Sequence, residues 1–142
     1  GVGDLGGGAM SRSGYSDDCD GWALICWRGA VAQAIRGKRG QQFLRDLVIA
    51  LDALPEKRLI DDRLEDDGEV CALGSVGKLR GVSMVEIDPY EREEVAAAFN
   101  IAEALAAEIM YENDAFKWER ESPEHRWVRM RQWAADNITV TP

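Results

Sequence analysis

Apolar residues in this chain recur mostly every three or four positions, and no run alternates convincingly with period two. From Trp22 to Arg36 the stripe Leu24, Trp27, Val31 and Ile35 predicts a helix, with Gly37 as its stop. Ser16, Asp17, Asp18 and Asp20 precede it, supplying cap oxygens and negative charge suited to a helix N-terminus. A second stripe, Phe43, Leu44, Leu47, Val48 and Leu51, predicts a helix from about Gly40 to Leu54, closed by Pro55. The linker Gly37-Lys38-Arg39-Gly40 makes the pair a helical hairpin or corner.

The pattern then breaks. Residues 56–69 are crowded with Glu56, Asp61, Asp62, Glu65, Asp66, Asp67 and Glu69, and Asp66-Asp67-Gly68 is a turn signal. Leu59, Ile60 and Leu64 are spaced to anchor one short helical turn. Residues 70–81 predict a short buried helix stopped by Gly81, with a strand over 70–73 as the alternative. Asp88-Pro89 reads as an N-cap with proline in the first turn, opening a helix that reaches Phe99. Asn100 is expected to cap a helix over 101–112, in which Ile101, Leu105 and Ile109 run beside Ala102, Ala106 and Met110. Ser122-Pro123-Glu124 opens the last helix, with Trp127, Met130, Trp133 and Ala134 turned inward. The expectation is an all-α, compact single-domain bundle of about six helices, two of them short, with no substantial sheet.

Composition supports a folded domain. The 142 residues are 46% hydrophobic and 30% charged, a balance that favours a packed core over disorder. Residues 1–10, GVGDLGGGAM, read as a tag remnant, leaving 11–142 as the single helical domain. Neither a signal peptide nor a run of about 18 apolar residues is visible, so the expected setting is cytoplasmic, with no membrane partner. Three cysteines, Cys19, Cys26 and Cys71, form no C-x-x-C pair and fit a reducing compartment.

Charge narrows the choice of partner. Asp and Glu number 26 against 17 Lys and Arg, a net charge of −9, which disfavours a protein that coats nucleic acid. A local basic site survives that argument: Arg28, Arg36, Lys38, Arg39 and Arg45 cluster at the first hairpin, and Arg36, Lys38, Arg39 and Arg45 form a candidate anion site beside a helix start. No phosphate-binding loop accompanies them.

The acidic residues are the stronger candidates. Asp61, Asp62, Glu65, Asp66 and Asp67, together with Glu91 and Glu94, do not match an EF-hand loop, and no metal is expected. They suit a face that imitates a phosphate backbone and occupies a basic groove on another protein. Phe116 and Trp118, in a loop over 113–121, are candidate aromatic anchors for a partner; most of the five tryptophans, at helical spacing, are expected in the core. A Cys71–His125 thiol pair is the only attractive nucleophile arrangement, and the apolar setting of Cys71 favours packing instead. Asn113 has the character of a left-handed helix C-cap. No catalytic residue and no cofactor is assigned.

Three motifs, Val70-Cys71-Ala72-Leu73-Gly74, then Glu108 to Asp114 ending in Asn113-Asp114, then Ser122-Pro123-Glu124 leading to Trp127 and Trp133, resemble a family of small acidic bacteriophage and prophage proteins. The likeness spans residues 68–134 and carries no catalytic assignment. It implies a phage-type protein that acts on host machinery, including as an inhibitor of a nucleic-acid-processing or defence factor. The alternative is a small nucleic-acid-binding module using the basic 28–45 hairpin, and an exposed tryptophan patch would favour a dimer. Within the shared motifs, Gly74 and Gly77 are expected to let another helix approach, Cys71 to fill a small space, and Asn113-Asp114 to fix the turn beside it.

Overall fold

The computed structural model describes residues 21–139. The expected tag remnant at 1–10, the acidic cap at 16–20 and Cys19 lie outside the described residues. The described residues form six α-helices: α1 (Gly21–Arg36), α2 (Lys38–Ala53), α3 (Ala72–Arg80), α4 (Arg92–Phe99), α5 (Glu103–Asp114) and α6 (Pro123–Asn137). Two antiparallel two-residue strands, β1 (Glu65–Asp66) and β2 (Glu69–Val70), pair Glu65 with Val70 and Asp66 with Glu69. The fold is all-α, with this hairpin as the sole sheet among the described residues.

Helix α2 is the hub. Its stripe buries Phe43, Leu44, Leu47, Ala50 and Leu51, and it packs against both α3 and α6. Phe43 meets Phe99 of α4 edge-on at 6.3 Å between ring centroids, a favoured aromatic geometry. Helix α2 begins two residues earlier than its apolar stripe implies, because Gly37 serves as N-cap and Lys38 and Arg39 form the first turn. The corner with α1 is tight: a Cβ on Gly40 would overlap the Ala34 carbonyl. Trp27, Trp127 and Trp133 are half-buried, but Trp22 is 74% exposed, which corrects its expected place in the core. It sits in the first turn of α1, a helix that buries only Val31.

The segment between α2 and α3 forms no helical turn. Leu59 and Leu64 are buried, as apolar anchors should be, but the chain is irregular and held from outside: Leu59 N–H donates to Pro123 O and Ile60 N–H to Val70 O. Asp67-Gly68, both with positive φ (54° and 84°), make the two-residue hairpin turn that the sequence signals. The strand alternative and the helix reading for 70–81 therefore share the segment, strand through Val70 and helix from Ala72, with left-handed Gly81 as the stop.

Two caps differ from expectation. Asp88 does not open α4; its Oδ1 accepts the Tyr90 N–H to form a local turn, and the helix starts after Glu91. Asn100 ends α4 in a left-handed conformation (φ 55°), and does not begin α5, whose N-cap is Ala102. Both asparagine and aspartate serve either kind of end, so their presence marks a boundary without saying which side is helical. Ser122, by contrast, caps α6 as expected, its Oγ accepting the His125 N–H at 3.0 Å.

Candidate functional site: an acidic surface around Asp62

The Cys71-Ala72-Leu73-Gly74 motif builds the platform beneath the acidic loop. Cys71 is buried, and its Sγ accepts the Gly74 N–H, so it caps α3 as well as filling space. A Cβ on Gly74 would overlap the Leu64 carbonyl. Close approach is thus the role of this glycine, but the neighbour is the loop entering β1, not a helix. Gly77 likewise faces the Met84 side chain, from the segment after α3.

Asn113 and Asp114 complete the platform. Asn113 lies within the last turn of α5, not in a left-handed C-cap; the cap is Ala115, in right-handed conformation. The Asn113 side chain is buried because it bridges three segments. Its Oδ1 accepts the Ala72 N–H at 3.0 Å, and its Nδ2 donates to Ile60 O at 3.0 Å and to Asp114 Oδ1 at 2.9 Å. The pair does fix the chain beside Cys71, through hydrogen bonds across 41 and 53 residues of sequence.

Asp62 joins the surface elements. Its N–H donates to Asp114 Oδ1, and its own Oδ1 accepts from Tyr90 Oη and Lys117 Nζ, both at 3.1 Å. One carboxylate therefore holds the acidic loop to the 84–91 segment and to the short 3₁₀ turn at Lys117–Glu119. Lys117 and Tyr90 escape detection in the sequence, since each lies tens of residues from its partner; a lysine flanked by Phe116 and Trp118 beside an acidic excess was the only local hint.

This junction brings the two most acidic stretches together. Residues 61–69 hold six carboxylates and 86–94 hold five, against Arg63 and Arg92. Asp61 faces Arg126 at 3.5 Å and Asp66 faces Arg63 at 3.8 Å. Glu65, Asp67, Glu91 and Glu94 are exposed, and none of them has an ion pair among the described residues. Elsewhere Asp46, Asp52, Glu103, Glu112 and Glu121 each face an arginine. Phe116 and Trp118 emerge beside the junction, Trp118 with 84% of its surface exposed and Lys117 over its ring.

The basic residues do not form one site. Arg28 and Arg36 line a groove of about 730 Å³ between α1, α5 and α6, among Trp27, Tyr111 and Trp133. That groove also carries Glu108, Glu112 and Asp136, so its charge is mixed. Lys38 and Arg39 line a separate groove with Arg80 and Asn100, where Arg39 donates to Asn100 Oδ1 at 3.4 Å. Arg45 lines neither groove.

No family model, curated protein or solved structure matches this chain.

Cys71 and His125 are engaged in different places. The Cys71 thiol serves α3, whereas His125 Nδ1 lies 2.7 Å from Glu121 Oε2. Glu121, 3% exposed at its side chain, also receives Arg129 through Nε at 2.7 Å and Nη2 at 3.0 Å. Burial pushes the Glu121 carboxyl up, but the bonds from Arg129 and His125 and the charges of Arg129 and Arg126 more than offset it, so its pKa lies below the ordinary range. Arg126 extends this cluster to the loop by donating to Leu59 O at 2.8 Å. The cluster anchors α6 under the acidic loop. Among the described residues no group of three or more His, Cys, Asp or Glu could hold a metal ion, and no helix is long and apolar enough to cross a membrane.

Proposed function

We propose that this chain is a phage-type interaction protein that docks on a basic surface of a host nucleic-acid-processing or defence protein and competes there with nucleic acid. The observation that carries the reading is the Asp62 junction, which gathers two acidic stretches and an exposed tryptophan around unpaired carboxylates. Like-charged groups left without counterions weaken the fold slightly by mutual repulsion, and their value lies in steering an oppositely charged partner into contact. Trp118 and Phe116 supply the apolar anchors that such a surface needs, because charge at an interface rim contributes more to encounter rate than to affinity. The bacteriophage resemblance of residues 68–134 points the same way.

The test is capture from a bacterial lysate by the full chain, run beside a Glu65→Lys/Asp67→Lys variant. The reading expects a basic nucleic-acid-binding protein that is retained by the wild type, lost with the variant and released by duplex DNA. Capture that is indifferent to both the substitutions and the DNA contradicts it, as does direct binding of DNA by the chain itself in a gel shift with a steep salt slope.

A further inference from the structure

Helix α1 packs against α2 and α5 and buries only Val31, with Ala34 and Ile35 half-buried against the core. Its other side carries Trp22, Ile25, Cys26, Gly29, Ala30 and Gln33, spaced three and four apart, and all of them are exposed, Trp22 by 74% and Ile25 by 64%. This stripe holds no charged residue. The charges of α1 are Arg28 and Arg36, and the helix has no carboxylate in a chain with 26 of them. Gly29 sits in the middle of the stripe. Glycine weakens a helix relative to alanine, and packing within the described residues does not call for it, since an added Cβ would meet nothing within 4 Å. A glycine so placed leaves room for the close approach of a second surface.

We propose that a second copy of this chain covers the stripe, with α1 paired antiparallel to α1 about a twofold axis. The gradient of side-chain size along the stripe selects this partner. Trp22 and Ile25 make the N-terminal half bulky, whereas Gly29 and Ala30 make the second half small. An antiparallel crossing centred between Cys26 and Gly29 sets Ile25 against the partner's Ala30 and Cys26 against the partner's Gly29. A twofold interface makes each such contact twice, so the stripe is its own complement. Parallel pairing would stack Trp22 on its copy, leave a gap at Gly29 and bring two Arg36 side chains together; the antiparallel crossing holds them about 25 Å apart along the axis. A net charge of −9 keeps copies apart over most of the surface, and α1 is where they can meet without opposing carboxylates. Covering a strip about 18 Å long in each copy removes on the order of 1,000 Å² in total, the lower limit for a specific interface, so the association is micromolar. The Asp62 surface is built from other elements, and this inference does not depend on what that surface binds.

The experiment is sedimentation velocity of the full chain, under reducing conditions, from about 1 to about 200 µM. The wild type should show a reversible monomer–dimer equilibrium. Trp22→Ser and Ile25→Ser should each weaken it by at least about tenfold, while Val128→Ser, at a similarly exposed valine of α6, should leave it unchanged. Gly29→Ala should weaken it about fivefold, although the substitution favours the helix itself. A monomer at every concentration overturns the inference. So does a dimer that Val128→Ser weakens as much as Ile25→Ser, or one that Gly29→Ala leaves unchanged or tightens. The functional reading is decided separately, by the lysate capture and its release by DNA.

Discussion

Asp114 Oδ1 accepts the backbone N–H of Asp62 at 3.2 Å and so holds a residue with a φ of 68° across 52 positions of sequence. A non-glycine residue in the left-handed region is strained unless its surroundings over-determine it. Here the Asp62 side chain completes the restraint through Tyr90 and Lys117. Replacing Asp114 with Ala leaves that N–H and one Asn113 Nδ2 hydrogen without an acceptor, and should destabilise the fold by about 1–3 kcal/mol. Asn retains an acceptor oxygen, so Asp114→Asn should recover part of the loss. Urea unfolding, with the midpoint shifting at constant slope, checks both.

Gly74 and Gly29 make a matched pair. A Cβ at Gly74 overlaps a backbone carbonyl that cannot move without displacing the hairpin, and Gly74→Ala should lose at least about 3 kcal/mol. Gly29, in the exposed part of α1, has nothing within 4 Å of the added atom, so Gly29→Ala should raise stability by up to about 1 kcal/mol. Thermal unfolding of the two variants should move the midpoint in opposite directions.

Acid should act through Glu121. Its folded carboxyl titrates below the ordinary value of 4.5, so its contribution is complete above that pH and disappears as the pH falls through the lower, folded value. Glu121→Gln removes this component. It should cost about 3 kcal/mol at neutral pH, by leaving Arg129 without its buried partner, and should flatten the stability profile below pH 4.5. Asp52 is also lowered, by its hydrogen bond from Arg131, but both partners are substantially exposed, and Arg131→Ala should change stability little. Denaturant midpoints across the acid range distinguish the two carboxylates.

The thiols should differ sharply in reactivity. Cys26 is exposed and Cys71 is buried under α3. In a Cys19→Ser background, a thiol reagent should label Cys26 quickly and Cys71 only at the rate of local or global opening. Rapid native labelling at both positions would refute the packing role of Cys71.

Trp118 separates binding from stability. At 84% exposure its removal should leave unfolding within about 0.5 kcal/mol of wild type. The same Trp118→Ala change should weaken retention of a captured partner by at least tenfold, the behaviour of an interfacial hot spot near 2 kcal/mol. Stability and retention are measured on one preparation.

The helices were legible because their signals are local. Periodic stripes located α2 and α6, Pro55 marked the close of α2 and Ser122 the start of α6, and Asp67-Gly68 announced the hairpin. At the caps the chemistry is not directional: Asn100 suits the end of a helix as well as its start, and Asp88 a local turn as well as an N-cap, and packing chooses. The acidic candidates could be read from composition, and Phe116 and Trp118 from their place in an expected loop; their exposure came from the structure. What composition cannot show is that Asp62 would bind Tyr90 and Lys117, 28 and 55 residues away, and thereby turn two charged stretches into neighbours. Nor could it show that Arg28 and Arg36 would line one groove and Lys38 and Arg39 another, with Arg45 in neither.

One kinetic measurement is decisive: the association rate of a protein captured by this chain as ionic strength is raised. If carboxylates of the Asp62 surface steer the encounter, the wild-type rate should fall by about tenfold or more from low to moderate salt, and the Glu65→Lys/Asp67→Lys variant should start slower and respond less. A rate unchanged by either salt or charge reversal would contradict that steering.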